Sequence, residues 1–384
     1  MAEQILLVCK PPLETLPPVM SAALTLRGLG YAVSAVTSSV AGVTREYLQD
    51  RGVGVVELDD RKDSRRGALG KGLRWVRFHY QISRYLKAGE PCPLLWIGSA
   101  DTAISMGPSL LKRSYILQIH ELYDRLPFYR SALRPFARRA RCVVVPEATR
   151  ADIYRYWYDL PSPPVVVPNK FAGSELTPRA PVRDATAREL LEGVIGTGKI
   201  VLYQGLITPE RDIRPLAAAV SELGPPWRFV AMGRDLGFVP EVARVCPDLI
   251  HIPFVDPPLH LDVTSHAHVG LLTYTPSSLN HLFCAPNKVW EFAGMGVPMV
   301  CDDIPALRAQ VGAAGAGICV DFANRSAVVD ALLKIDRLYG DYRARAQELY
   351  HSVSIPQLIA RAVDKARGSH VEQPALTETP AWMQ

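Results

Sequence analysis

The residues best suited to chemistry lie in positions 280–305, NHLFCAPNKVWEFAGMGVPMVCDDIP. A loop ends at Pro286 and a helix opens at Asn287. A helix start presents backbone N–H groups without intrahelical partners and the positive end of the helix dipole, which together suit a diphosphate. Lys288 adds a full positive charge in the first turn. Glu291 follows one turn later on the same face, where a carboxylate can accept hydrogen bonds from ribose hydroxyls. Gly294 and Gly296 allow close backbone approach, and Pro298 opens the next strand. The plain alternative for this stretch is an amphipathic helix carrying a surface Lys–Glu pair.

A second stretch, YQGLITPERD at 203–212, runs from a strand into Gly205 and then into a loop. Gly205 permits a phosphate to approach the backbone. Arg211, expected at a helix start, can grip that phosphate through two N–H groups. Both stretches belong at the carboxyl ends of parallel strands, where open α/β sheets bind their ligands.

The elements that must position these residues alternate. Short apolar runs, QILLVCK (4–10), YAVSAVTS (31–38), VGVVEL (53–58), PLLWIGS (93–99), SYILQIH (114–120), RCVVVPEA (141–148) and VVVPNK (165–170), read as buried parallel strands. Helices are expected over 19–27 and 69–88. A second series follows: GKIVLYQG (198–205), WRFVAMG (227–233), LIHIPFV (249–255), HVGLLTY (268–274), VPMVCDD (297–303) and GICVDF (317–322). Helices are expected over 211–223, 237–245, 287–295, 304–311 and 325–338. Such alternation predicts parallel sheets with helices on both faces. The longest stretch without a strand signal, 171–197, reads as an interdomain linker with a short helix. This divides the chain into residues 1–170, residues 171–350 and a C-terminal helix and tail, 351–384.

With 48% apolar and 21% charged residues, the 384-residue chain has a globular composition and the length of two α/β domains. No run approaches the roughly 20 apolar residues of a membrane-spanning helix. The start of the chain lacks the pattern of a secretory signal, so a cytoplasmic location is expected. None of the seven cysteines forms a CxxC pair, and several sit in apolar runs, so buried reduced thiols are expected rather than a zinc site. Charge is uneven: residues 1–170 carry 24 Lys and Arg against 15 Asp and Glu, whereas residues 171–384 carry 19 against 23. The first half is therefore expected to face an anionic partner.

Taken together these segments resemble the retaining GT-B glycosyltransferases, in particular the large GT4-like family. PNKVWEFAGMGVP resembles the family's donor-site block, YQGLITPERD its glycine turn with a basic phosphate contact, and GAGICVDFANRSAVVDAL (315–332) its final strand–helix pair. QIHELYD (118–124) and VVVPEATR (143–150) resemble strands of its acceptor domain. The resemblance implies two Rossmann-like domains with parallel sheets facing across a cleft. Residues 1–170 would bind the acceptor and residues 171–350 the nucleotide-sugar donor. It implies transfer of a sugar from that donor to a hydroxyl of a glycan or glycoconjugate acceptor, with retention, without a metal and without any cofactor beyond the donor itself. Glu291 then corresponds to the second glutamate of the family's E-x7-E motif, which binds the donor ribose. Arg211 and Lys288 correspond to the diphosphate contacts, with Gly205 and Asn287 beside them, and His120 to the histidine that contacts the transferred sugar. The chain departs from the pattern at Phe283, where the first glutamate would fall. Leu206 replaces a basic residue, Asp212 follows Arg211 in place of glycine, and PPLETLPP (11–18) lacks a glycine pair. The departures at Phe283 and Leu206 keep a catalytically silent partner protein as an alternative, and an epimerase or hydrolase on the same fold is another.

Residues 61–87 hold nine Lys and Arg against Asp63, interleaved with Trp75, Phe78, Tyr80 and Tyr85, and residues 125–141 add six Arg. These stretches fit an anionic membrane surface or a lipid-linked acceptor, or else a solvated helix face. No nucleic-acid motif accompanies the charge.

Overall fold

The structure is a computed structural model that describes residues 2–58, 68–89, 94–172 and 176–368. The described residues divide into two compact units, 2–172 with 354–368, and 176–353.

The first unit is built on strands β1 (Gln4–Cys9), β2 (Ala32–Thr37), β3 (Gly54–Glu57), β4 (Leu94–Ile97), β5 (Tyr115–Gln118), β6 (Cys142–Val145) and β7 (Val165–Val166). They form one sheet in the order β3-β2-β1-β4-β5-β6-β7, with every pair parallel. The second unit holds β8 (Lys199–Gln204), β9 (Trp227–Met232), β10 (Ile250–Ile252), β11 (Val269–Leu272), β12 (Met299–Asp302) and β13 (Gly317–Val320). Their order is β10-β9-β8-β11-β12-β13, again all parallel. In each sheet the order reverses beside the first strand of the unit, between β1 and β4 and between β8 and β11. Such a reversal opens a crevice at the carboxyl edge.

Strands covered on both faces are apolar along their whole length, which is why LLVC, LLWI and CVVV are buried throughout. Helices absent from the sequence-based expectation cover the first sheet: Ala100–Met106, Pro127–Arg139 and Ala148–Tyr158. The Ile355–Arg367 helix belongs to this unit and packs on β5, β6, β7 and the Pro17–Gly28 helix. Residues 369–384 lie outside the described residues.

Three expectations change. The helix expected from Arg211 begins at Arg214, and Arg211 ends a short 3₁₀ turn, Pro209–Arg211. Asp212 sets this boundary, because its Oδ1 accepts from the Arg214 backbone N–H at 3.0 Å and so occupies a donor of the first turn. The helix expected over 304–311 is a short α-turn, Pro305–Leu307, followed by a π-turn, Arg308–Gly312. Part of the stretch read as linker is fixed to the second unit: Val182, Ala187 and Leu191 are buried, and Arg183 binds Asp262 through Nε and Nη2 at 2.8 and 3.0 Å. Of the cysteines, Cys9, Cys142, Cys246, Cys284 and Cys301 are buried, Cys319 is half-buried and all six are free thiols, while Cys92 lies outside the described residues.

Gly270, in the middle of β11, shows how the sheet receives the Asn287–Gly294 helix. A Cβ at this position would stand 2.6 Å from the ring of Phe292. Phe292 is fully buried, so the helix lies on bare backbone. Gly270→Ala should therefore lift Phe292 and destabilise the protein by about 1–3 kcal/mol, read as a lower urea midpoint. An unchanged midpoint would show that the helix is not seated on this glycine.

Candidate functional site

At the carboxyl end of β8 the chain turns at Gly205 with φ +150°, a conformation that L side chains rarely adopt. The position is also crowded. A Cβ here would stand 2.8 Å from Lys288 Nζ and 3.5 Å from Arg211 Nη1. Two cations from separate segments therefore meet over one glycine. Gly233, at the end of β9, is equally constrained, since its Cβ would lie 1.9 Å from the Gly205 carbonyl oxygen. The two glycines let the strand ends touch and leave an open backbone floor beneath the cations.

Both cations are anchored. Lys288 stands in the first turn of the Asn287–Gly294 helix, which is held down by Val289, Trp290, Phe292 and Ala293. Pro286 precedes this helix and supplies no side-chain cap to its first turn, the turn that carries Lys288. The Lys288 ammonium lies 5.6 Å from the Tyr203 ring centre, within cation–π range. Tyr203 donates its hydroxyl to the Leu206 carbonyl at 2.7 Å. Burial pushes the Tyr203 phenol up, while the Arg211 side chain bonded to it works in the opposite direction. Desolvation and the neighbouring Arg211 lower Lys288 to about 8, against the pull of Glu291. A lysine so depressed is stabilised in its charged form by a bound anion.

One turn along, Glu291 is held from two sides. Gln204 donates Nε2 to Glu291 Oε2, and His260 Nε2 lies 3.6 Å from Oε1. Burial pushes the Glu291 carboxyl up, but the neighbouring His260 imidazole, the charge of Lys288 and the bond from Gln204 outweigh it, so Glu291 titrates below an ordinary glutamate. Asp302, at the end of β12, behaves in the opposite way. Burial raises it to about 6 although Tyr274 donates its backbone N–H at 2.6 Å.

Gly205, Arg211, Lys288 and Glu291 are thus brought together with Asn287 at the carboxyl edge of the second sheet. His120 lies in the first unit, just after β5. Its Nε2 is 2.8 Å from the Gly98 carbonyl. A carbonyl only accepts, so Nε2 carries the proton and Nδ1 of the neutral ring is the acceptor. Burial lowers the His120 pKa, which favours that neutral ring. Its backbone carbonyl accepts from Arg150, itself buried, which fixes the loop. Nearby, Lys10 at the end of β1 pairs with Asp101 Oδ2 at 2.7 Å, while Trp75 and Tyr129 donate to Asp101 Oδ1 at 2.8 and 2.7 Å.

Sequence reasoning missed Gln204, His260, Thr264 and Asp101. Gln204 was within reach, as the residue before the glycine turn. His260 and Thr264 lie in a five-residue helix, His260–Thr264, far along the chain from Glu291 and without a motif of their own.

No protein-family model matches the chain, and no curated protein matches it in sequence. Solved structures do match in three dimensions. Sucrose-phosphate synthase (tll1590) from Thermosynechococcus elongatus superposes with a TM-score of 0.69 at 16% identity, covering 96% of this chain and 100% of that one. Alr3699/HepE from Anabaena, in a structure with UDP and glucose, gives 0.68 at 12% identity over 94% of this chain and 99% of that one. This chain has the GT-B fold. A putative UDP-N-acetylglucosamine 2-epimerase from Listeria monocytogenes shares it, with a TM-score of 0.68 at 13% identity over 97% and 99% of the two chains.

The electrostatics give a pH signature. Lys288 is charged below its pKa of about 8 and loses its proton above it. The terminal phosphate of a nucleoside diphosphate is already mostly ionised at pH 7, so the affinity should fall by up to about tenfold between pH 7 and pH 9. In Lys288→Met the affinity should be lower and flat across this range. Titration calorimetry with UDP and GDP measures both, and a wild-type profile as flat as the mutant's would remove Lys288 from the anion site.

Proposed function

We propose that the protein is a glycosyltransferase that moves a sugar from a nucleoside-diphosphate donor to a hydroxyl of a glycan or lipid-linked acceptor. The observation that carries the reading is the meeting of Lys288 and Arg211 over Gly205, with an ionised Glu291 one turn away. A departing nucleoside diphosphate gathers negative charge on its phosphate oxygens. Fixed cations and helix N–H groups stabilise that charge without having to reorganise. In this reading Lys288 and Arg211 take up the charge that a metal ion carries in other transferases. Lys288 also supplies the cation that Leu206 does not. Glu291 accepts from the ribose hydroxyls and orients the donor.

The second unit is the donor half and the first unit the acceptor half. His120, neutral with Nδ1 as its acceptor, contacts the sugar. No side-chain carboxylate stands at Phe283, which ends the short Leu279–Leu282 helix, so the reading uses no enzyme nucleophile there. Retention follows if the incoming hydroxyl attacks the face that the diphosphate leaves, its proton passing to a donor phosphate oxygen.

The epimerase among the structural neighbours supports a second reading, in which the same donor site isomerises a nucleotide sugar without an acceptor. Incubation with UDP-N-acetylglucosamine alone separates the two, because only an epimerase yields a new nucleotide sugar.

The reading extends to an anionic membrane surface at the first unit. No helix among the described residues is long and apolar enough to cross a membrane. The Ala68–Ala88 helix, however, has no acidic residue and exposes Leu73, Val76 and Tyr80. Residues 125–141 carry six Arg and no acid, and Leu126 and Phe128 are exposed there. Arg61, Lys62, Arg65 and Arg66 of the basic stretch lie outside the described residues. Val76→Ser with Phe128→Ser should weaken co-sedimentation with phosphatidylglycerol vesicles, and salt should weaken it in the wild type. Equal sedimentation of both proteins would remove the membrane from the reading.

The donor site is tested by thermal shift against UDP-, GDP-, TDP- and CDP-sugars. A donor at 100 times its Kd adds about 2.7 kcal/mol of stability. Glu291→Ala should weaken the stabilising nucleotide by about 1–3 kcal/mol through a lost charge-assisted hydrogen bond. A wild type that responds to none of the four classes would overturn the donor assignment.

A further inference from the structure

We infer that Gln204, held by Thr264, is the positioning residue that aims Glu291 at the donor ribose. This rests on the donor reading of Glu291 given above.

The argument starts from what each group can donate. An ionised carboxylate only accepts, so the Gln204 amide must turn Nε2 toward Glu291. That orientation points Gln204 Oε1 at Thr264 Oγ1, 2.9 Å away, and an amide oxygen can only accept. The single Thr264 hydroxyl proton is therefore donated toward Gln204, the nearer of two oxygens that can only accept. The His260 carbonyl, 3.0 Å from the same hydroxyl, is its secondary acceptor. The chain Thr264 to Gln204 to Glu291 thus runs in one direction, and the charge on Glu291 sets that direction.

Burial makes the chain rigid. Gln204 is 5% exposed and Thr264 is fully buried, so neither can exchange its partner for bulk water without local opening. Gln204 also ends β8, where its backbone is fixed by pairing to β9 with Met232 opposite. Glu291 has two oxygens, each with two acceptor directions. Gln204 takes one on Oε2, and His260 flanks Oε1. One acceptor direction on each oxygen stays open, and a pair of vicinal hydroxyls needs two acceptors. Without Gln204, the Glu291 side chain can swing between rotamers and its alignment for both hydroxyls is lost. Gln204 would then control discrimination between ribose and deoxyribose without touching the ligand.

The experiment compares UDP with 2′-deoxy-UDP and 3′-deoxy-UDP by calorimetry on the full-length protein, with GDP and its deoxy forms run in parallel. Wild type should prefer the ribonucleotide by about tenfold or more, since a site built for a hydroxyl leaves buried groups unpaired when it is missing. Glu291→Ala should abolish the preference. Gln204→Leu should bring it close to unity while leaving deoxynucleotide affinity within about threefold. Thr264→Val, which keeps the shape and removes the hydroxyl, should give an intermediate ratio and serves if Gln204→Leu does not fold. A general loss of structure would weaken ribo- and deoxynucleotides alike. Wild-type discrimination kept in Gln204→Leu, or in Thr264→Val where that variant stands in, sinks the positioning role and leaves Glu291 intact. If wild type binds no nucleoside diphosphate, the donor reading fails first and the inference with it.

Discussion

Two positive charges are held over one glycine, and this costs free energy before any ligand arrives. Lys288 and Arg211 repel each other across Gly205, and their surroundings remove part of their hydration. Only strong anchoring elsewhere keeps them there. Lys288 is carried by a helix whose buried face seats Phe292 on the bare backbone of Gly270. Arg211 is carried by a proline-initiated turn and bonded to Tyr203, whose own hydroxyl is tied to the Leu206 carbonyl. The apolar core of the second unit thus supplies the stability that the anion site gives up. In the proposed function a bound anion would relieve this repulsion, cancelling an existing strain in charge rather than requiring rearrangement.

Glu291 answers a related problem with the opposite sign. A buried carboxylate tends to protonate, and a protonated one would present a donor where an acceptor is needed. The neighbouring His260 imidazole, the charge of Lys288 and a bond from Gln204 hold it in the ionised form. Cation and carboxylate stand on successive turns of one helix. Each is close enough to the other to be tuned by its field, Lys288 lowering the Glu291 carboxyl and Glu291 raising the Lys288 ammonium. Asp302 lacks comparable compensation and titrates near 6.

The first unit uses an ion pair to organise its edge. Asp101 receives Lys10, Trp75 and Tyr129 from three different segments, and burial alone would otherwise push its carboxyl up. The basic helix Ala68–Ala88 is joined to the sheet edge through Trp75, and the Pro127–Arg139 helix through Tyr129. The arginine-rich surfaces of both are thereby fixed to one carboxylate. His120 sits on the same edge, its ring oriented by the Gly98 carbonyl.

Much of this was legible in the chain alone. Strands buried on both faces must be apolar throughout, so LLVC, LLWI and IVLY announced themselves, and their alternation with helices implied two parallel sheets. Gly205, Lys288 and Glu291 were legible because a strand-end glycine and residues spaced one helical turn apart are local patterns. The start of the helix after Arg211 was misplaced, because Asp212 binds the Arg214 backbone N–H from just outside the helix and no spacing pattern places that contact. Gln204, Thr264 and His260 stayed hidden because their roles arise from hydrogen-bond partners distant in sequence, and no spacing rule encodes those. The sequence by itself determined the elements, their order and the charges available at the strand ends. Tertiary structure alone decided which charges meet, since burial and proximity, set by how strands and helices pack, are what bring a lysine and an arginine 77 positions apart together over one glycine.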